Sequence, residues 1–241
     1  MEPWFVFAVV VIWPTMKLLF KDDFHGREHL PKKGGVIVAV NHISYVDPFA
    51  VALFVWTAGR RPRFMAKHTL FTKPFVRNVL KGARQIPVYR NTADAGASLR
   101  AAVEAVNNGE CVVIYPEATV TKDPELWPMA AKTGVARLAL ATGAPVIPLG
   151  QWGAQDVFGK DKRPHLFPRR TMRAIAGPPV DLSEWAGAEP TVETMRAVTS
   201  KVMGEVTALV AQLRGGTPPE TPFVPPPRLA AVPDDETRRS A

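Results

Sequence analysis

Short apolar runs recur along the chain at residues 36–40, 63–66, 85–89, 111–115, 145–149 and 171–176, and each reads as a strand. Helical spacing falls between them. Residues 48–57 are apolar and aromatic, and residues 71–80 are mixed. From residue 95 to 106 the positions Leu99, Ala102, Val103 and Val106 share one face, and Asn108-Gly109 supplies a stop. Residues 132–141 make a short helix with Val135, Leu138 and Ala139 on one side. The longest pattern, residues 192–213, carries Met195, Val198, Val202, Val206, Leu209 and Leu213 and stops at Gly215-Gly216. Strands alternating with helices predict an α/β fold, a mixed central sheet flanked by helices. Several short connections leave room for antiparallel pairs in that sheet.

Both ends depart from this pattern. Residues 3–20 are apolar apart from Thr15 and Lys17, with Pro14 in the middle. A spanning helix needs roughly 20 apolar residues. We expect instead a retained helical anchor that dips into or lies on the membrane, with Trp4 and Trp13 at the interface. The basic residues that follow, Lys17, Lys21, Arg27, Lys32 and Lys33, place the rest on the cytoplasmic face. After Gly216 the chain turns proline-rich, with Pro225-Pro226-Pro227, and is expected to be extended or disordered. The division is therefore a membrane-associated segment at 1–24, a folded domain at 25–215 and a tail at 216–241.

A chain of 241 residues suits one α/β domain with a real core. Charge changes the picture more: 30 Lys+Arg against 22 Asp+Glu give +8, which favours anionic partners. The cluster Arg60-Arg61-Arg63 has no interleaved aromatics, so a solvated or headgroup-facing patch fits it better than nucleic acid, and no nucleic-acid partner is expected. The single cysteine, Cys111, lies inside an apolar run, reads as buried, and leaves no disulfide framework or Cys-rich metal site.

The candidate chemistry sits where the strand at 36–40 breaks, in Asn41-His42-Ile43-Ser44-Tyr45-Val46-Asp47. Histidine moves protons near neutral pH, and a carboxylate can orient it and stabilise its charged form. Three triad members within six residues would struggle to converge, and there is no Gly-x-Ser-x-Gly elbow, so Ser44 is a poor nucleophile. On an ideal helix five residues turn by about 500°, so His42 and Asp47 meet only if His42 is in the loop and Asp47 opens the next helix. Asp47-Pro48 fits such an opening, Asp as N-cap and Pro as first helical residue.

His-x4-Asp after an apolar strand resembles the first motif of the glycerophosphate and lysophosphatidate acyltransferases, the bacterial type that makes phosphatidic acid. Three more motifs follow in that family's order. Residues 82–90, ending in Arg90, are similar to the second. Tyr115-Pro116-Glu117-Ala118-Thr119 is similar to the third, usually written Phe-Pro-Glu-Gly-Thr, and Val146-Ile147-Pro148-Leu149 to the fourth. Lys132-Thr133-Gly134 resembles the family's Lys-x-Gly helix start, and Lys67 matches a recurrent lysine. The resemblance spans residues 25 to 180.

It implies acyl transfer from a thioester, acyl-CoA or acyl carrier protein as co-substrate, to the hydroxyl of lysophosphatidate at a phospholipid surface. It implies no further cofactor, no metal and no covalent enzyme intermediate. By resemblance His42 is the base and Asp47 orients it. Lys67 and Arg90 bind the acceptor phosphate, Glu117 and Thr119 shape the acceptor site, and Lys132 adds positive charge. The chain departs from the family at Ala118, where glycine is usual, and at Val120, where an arginine often follows the threonine. Val120 keeps a second acceptor open, another lysophospholipid or a glycolipid hydroxyl. A third expectation, from charge and anchor alone, is a non-catalytic basic protein that binds the membrane periphery.

Overall fold

A computed structural model of the chain describes residues 6, 10, 11, 13–89, 95–159 and 161–226. In chain order its elements are α1 (Trp13–Leu19), β1 (Phe20–His25), β2 (Val36–Val40), α2 (Asp47–Thr57), β3 (Pro62–Lys67), α3 (Pro74–Gly82), β4 (Ile86–Val88), α4 (Ala95–Asn107), β5 (Cys111–Ile114), α5 (Gly134–Thr142), β6 (Val146–Trp152), β7 (Arg170–Ala176) and α6 (Val192–Arg214). The strands form one seven-stranded sheet in the order β1-β7-β6-β2-β5-β3-β4. The pairs are parallel except β6 with β7, so the expected mixed sheet is present with one antiparallel pair.

β2 lies in the middle of the sheet and is buried at all five positions, as an unbroken apolar run should be when both faces are covered. Val36, Val38 and Val40 face a core built with Val51, Phe54 and Val55 of α2. Ile37 and Ala39 face the other side, against Ala102 and Val106 of α4, Leu138 of α5 and Val202 and Val206 of α6. This two-sided packing makes β2 a rigid support for whatever follows Val40. Cys111 is buried in β5, and burial pushes its thiol up to about 12, so it stays a protonated small apolar residue.

The N-terminal reading changes at its boundary. Residues 20–25 are a strand, paired in register with β7 from Phe20↔Arg170 to His25↔Ile175, so a boundary at residue 24 falls inside the sheet. Phe20 and Phe24 enter the core while Lys21, Asp22 and Asp23 occupy the positions between them. Only two apolar residues mark this edge strand, too few for a pattern. Within the expected anchor, α1 has seven residues; among the described residues no helix is long and apolar enough to cross a membrane, and the expected anchor does not require one. Trp4 lies outside the described residues.

The opening of α2 also differs. Val46 is its N-cap, Asp47 is the first helical residue and Pro48 the second, and no side chain caps the helix. The reason is that the Asp47 carboxylate turns back onto the preceding loop instead of forward onto the helix. Of the tail, residues 217–226 are described and hold neither helix nor strand, though the Phe223 carbonyl accepts a hydrogen bond from Ala130 N–H (3.0 Å).

Candidate active site

The carboxyl ends of β2, β5 and β3 open side by side on one edge of the sheet, the place where α/β folds gather ligands. Just past Val40, the buried Asn41 side chain prolongs the β2–β6 ladder. Its Oδ1 accepts from Gln151 N–H (2.9 Å) and its Nδ2 donates to the Gln151 carbonyl (3.1 Å). Gln151 Nε2 returns a bond to the Asn41 carbonyl (3.2 Å). The next residue, His42, therefore leaves the sheet from a fixed point.

His42 Nδ1 lies 2.8 Å from Asp47 Oδ2. The same oxygen accepts from Ile43 N–H (2.6 Å) and Ser44 N–H (3.0 Å). Asp47 is wholly buried, and the imidazole keeps a small exposed edge. A buried carboxylate with three donors is an acceptor, so Nδ1 carries the proton and Nε2 is left to take one from a substrate. The five-residue loop permits what a helix would not. Ser44 is committed elsewhere: its hydroxyl donates to the Phe158 carbonyl (2.7 Å).

The turn after β5 closes against this loop. Glu117 is buried, and its two oxygens accept from His42 N–H (2.8 Å) and Met129 N–H (3.0 Å). Burial pushes its carboxyl up to about 8 against the pull of those two bonds. Thr121 N–H adds a bond to the His42 carbonyl (2.7 Å). Ala118, in the same turn, has φ of 61°, the left-handed region that suits glycine, so the departure from the family motif falls on a position with real backbone strain. The Tyr115 ring stacks on the His42 imidazole, centroids 4.3 Å apart.

His42 lies on the wall of a cavity of about 690 Å³. Tyr115, Thr119, Val120, Lys67 and Lys132 share that wall, and beyond them it is made of apolar residues such as Leu53, Trp56, Phe64 and Leu80. The volume suits a small-molecule site. Among the described residues no group of three His, Cys, Asp or Glu stands ready to hold a metal ion.

The structure thus brings together His42, Asp47, Lys67, Thr119 and Lys132. Glu117 sits behind the wall with its carboxylate spent on backbone N–H groups. Arg90 lies outside the described residues. Lys122, two residues after the apolar Val120, and Arg137 in α5 are two cations that stand outside the cavity wall. Two residues that the sequence motifs contain had no task assigned to them: Tyr115, an aromatic after a strand that reads as core, and Asn41, which meets a partner 110 residues away.

A family model described as Acyltransferase matches residues 21–152. Over 137 residues the chain is 31% identical to the 1-acyl-sn-glycerol-3-phosphate acyltransferase of Borreliella burgdorferi, covering 56% of this chain and 53% of that protein. It is 28% identical over 154 residues to a chloroplastic 1-acyl-sn-glycerol-3-phosphate acyltransferase of Brassica napus, 62% of this chain and 43% of the other. The chain spans about half the length of these curated relatives. The crystal structure of the 1-acyl-sn-glycerophosphate acyltransferase PlsC from Thermotoga maritima shares the fold, with a TM-score of 0.67 at 24% identity, over 86% of this chain and 78% of that one.

Proposed function

The chain belongs to the Acyltransferase family, and from that premise we propose that it moves a fatty acyl group from a thioester to the free hydroxyl of lysophosphatidate, giving phosphatidate. The observation that carries this reading is the His42–Asp47 pair on the wall of an apolar cavity that also holds two lysines. His42 Nε2 takes the proton of the acceptor hydroxyl as its oxygen attacks the thioester carbonyl. The C–S bond breaks, the ester C–O bond is formed, and the departing thiolate takes the proton back from the imidazolium. No enzyme nucleophile is needed, in keeping with a Ser44 hydroxyl already engaged.

Lys67 and Lys132 would hold the acceptor phosphate, with Arg90 as a further ligand by family resemblance. Thr119 lies beside them, and Glu117 acts from behind by holding the His42 backbone. The apolar depth of the cavity suits an acyl chain. The donor is acyl-CoA or acyl carrier protein. Trp13, Tyr45, Phe49 and Leu70 are exposed and line the same cavity, which supports a working position against a phospholipid membrane; the basic residues from Lys17 to Lys33 favour its cytoplasmic face.

A second acceptor is favoured by one observation: Val120 puts an apolar side chain on the wall where the family motif often has an arginine. A panel of acceptors offered with labelled acyl donors separates the two readings. We expect lysophosphatidate to be the preferred acceptor, and His42→Ala to lower kcat by about 10²–10⁴-fold, the usual worth of a general base. Equal transfer to a phosphate-free acceptor would select the second reading, and full activity in His42→Ala would remove His42 as the base.

A further inference from the structure

Among the described residues four buried side-chain atoms lack a hydrogen-bond partner, and two of them surround His42: Asp47 Oδ1 and the Tyr115 hydroxyl. The imbalance at Asp47 is pronounced. All its donors, from His42, Ile43 and Ser44, converge on Oδ2, while Oδ1 of the same fully buried carboxylate is unserved. A buried charge with an empty acceptor is costly, and native structures supply a donor, often through an ordered water. The other two unpartnered atoms do not fit the need. Arg63 Nε belongs to a guanidinium tied to Glu110, and Arg170 Nε belongs to β7, separated from β5 by β6 and β2.

Tyr115 does fit. Its ring stacks on His42 and, with centroids 6.3 Å apart, on Phe64, so the phenol is fixed in place. Its hydroxyl is a neutral donor: burial first, and then the negative charge of Asp47, push its ionisation well above the usual range. The phenol ring stacks on the same imidazole that the Asp47 carboxylate binds, so both groups meet at His42. One orphaned donor and one orphaned acceptor therefore flank the same imidazole.

We propose that Tyr115 is a positioning residue for the base, its hydroxyl donating through one ordered water to Asp47 Oδ1. The carboxylate is then held from both oxygens, and part of its negative charge is shared away from His42. That sharing sets how tightly the imidazole keeps its proton. The other titratable groups around His42 are Glu117 in the turn after β5, which holds the His42 backbone, and Lys67 at the end of β3 and Lys132 just before α5, which share its cavity wall. A Tyr115→Phe change leaves all of them in place and keeps the ring.

The inference rests on His42 being the base, and two measurements separate its failure from failure of that reading. In Tyr115→Phe the carboxylate, less shared, holds the imidazolium more tightly. The acidic limb of the kcat/KM profile should therefore move to higher pH, with activity several-fold lower near neutrality and recovering on the alkaline plateau. A purely structural hydroxyl would lower activity equally at every pH. The second measurement needs no activity: a double-mutant cycle in chemical unfolding with Tyr115→Phe and Asp47→Ala. Loss of the hydroxyl should destabilise the wild-type background and cost little where the carboxylate is gone. A profile superimposable on wild type, or an equal cost in both backgrounds, would overturn the proposal.

Discussion

At the scale of single residues Glu117 is held between two opposed effects. Two backbone N–H groups hold its oxygens, yet burial raises its carboxyl from the ordinary 4.5 to about 8. Between those values the folded protein binds a proton that the unfolded chain has released. Stability from this group is therefore full below about pH 4.5 and lost as pH rises through about 8. Glu117→Gln removes the titration but offers one acceptor oxygen where two N–H groups need one each, a cost of about 1–3 kcal/mol. Thermal unfolding from pH 5 to 8.5 should show Glu117→Gln less stable at the acid end and the gap to wild type narrowing as pH rises. Parallel curves would mean the carboxyl does not titrate in that window. Sequence located Glu117 through its motif but not its task, because its two partners are backbone groups 75 residues and 12 residues away. His42 and Asp47 were legible for the opposite reason: they face each other across five residues of one loop.

Among the elements, legibility followed the density of apolar residues. β2, buried on both faces, announced itself; β1, with Phe20 and Phe24 alone, did not. β6 outlasts its apolar run because Gly150, Gln151 and Trp152 continue it by antiparallel pairing with β7, a partner that local sequence does not reveal. α6 was visible from its stripe, but the stripe drifts: Val210 is buried where the even spacing pointed to Leu209 and Leu213. That drift follows from how closely α6 lies on β6. A Cβ added at Gly150 would sit 2.7 Å from Leu209 Cβ and 2.9 Å from the Leu209 carbonyl carbon, so helix backbone and not only a side chain would have to yield. Gly150→Ala should cost about 1–3 kcal/mol, the range for overpacking. Urea unfolding checks this, with a lower midpoint at unchanged slope as the expected result. Because Gln151 follows directly and holds Asn41, the same variant should also lower kcat.

For the whole molecule the question raised by the proposed function is how the apolar cavity would meet lipid. The net charge of +8 is spread over the chain, and no described helix can cross a bilayer. What the molecule offers instead is a rim: Trp13 from α1, Tyr45 and Phe49 in and beside the His42–Asp47 segment, and Leu70 past β3 all line the cavity and are all exposed. Lys73, Arg77 and Lys81 lie exposed on and beside α3, which also contributes Val79 and Leu80 to the cavity wall. Apolar and charged contacts answer differently to conditions. Each cation near an anionic surface contributes about 1 kcal/mol, screened over roughly 8 Å at physiological salt, whereas apolar insertion is indifferent to moderate salt. Sedimentation of the full chain with vesicles should therefore show binding that rises with the fraction of anionic lipid and falls as salt is raised. Trp13→Ser should weaken binding to neutral and anionic vesicles alike, because it removes only the apolar part. Binding that ignored both lipid charge and salt would assign no role to the basic residues, and a Trp13→Ser loss confined to anionic vesicles would place that tryptophan away from the lipid. On the proposed function the division would matter for turnover: an apolar rim seated in the headgroup layer would let a lysolipid slide into the cavity without crossing water, while charge would hold the protein there long enough for the next substrate to arrive.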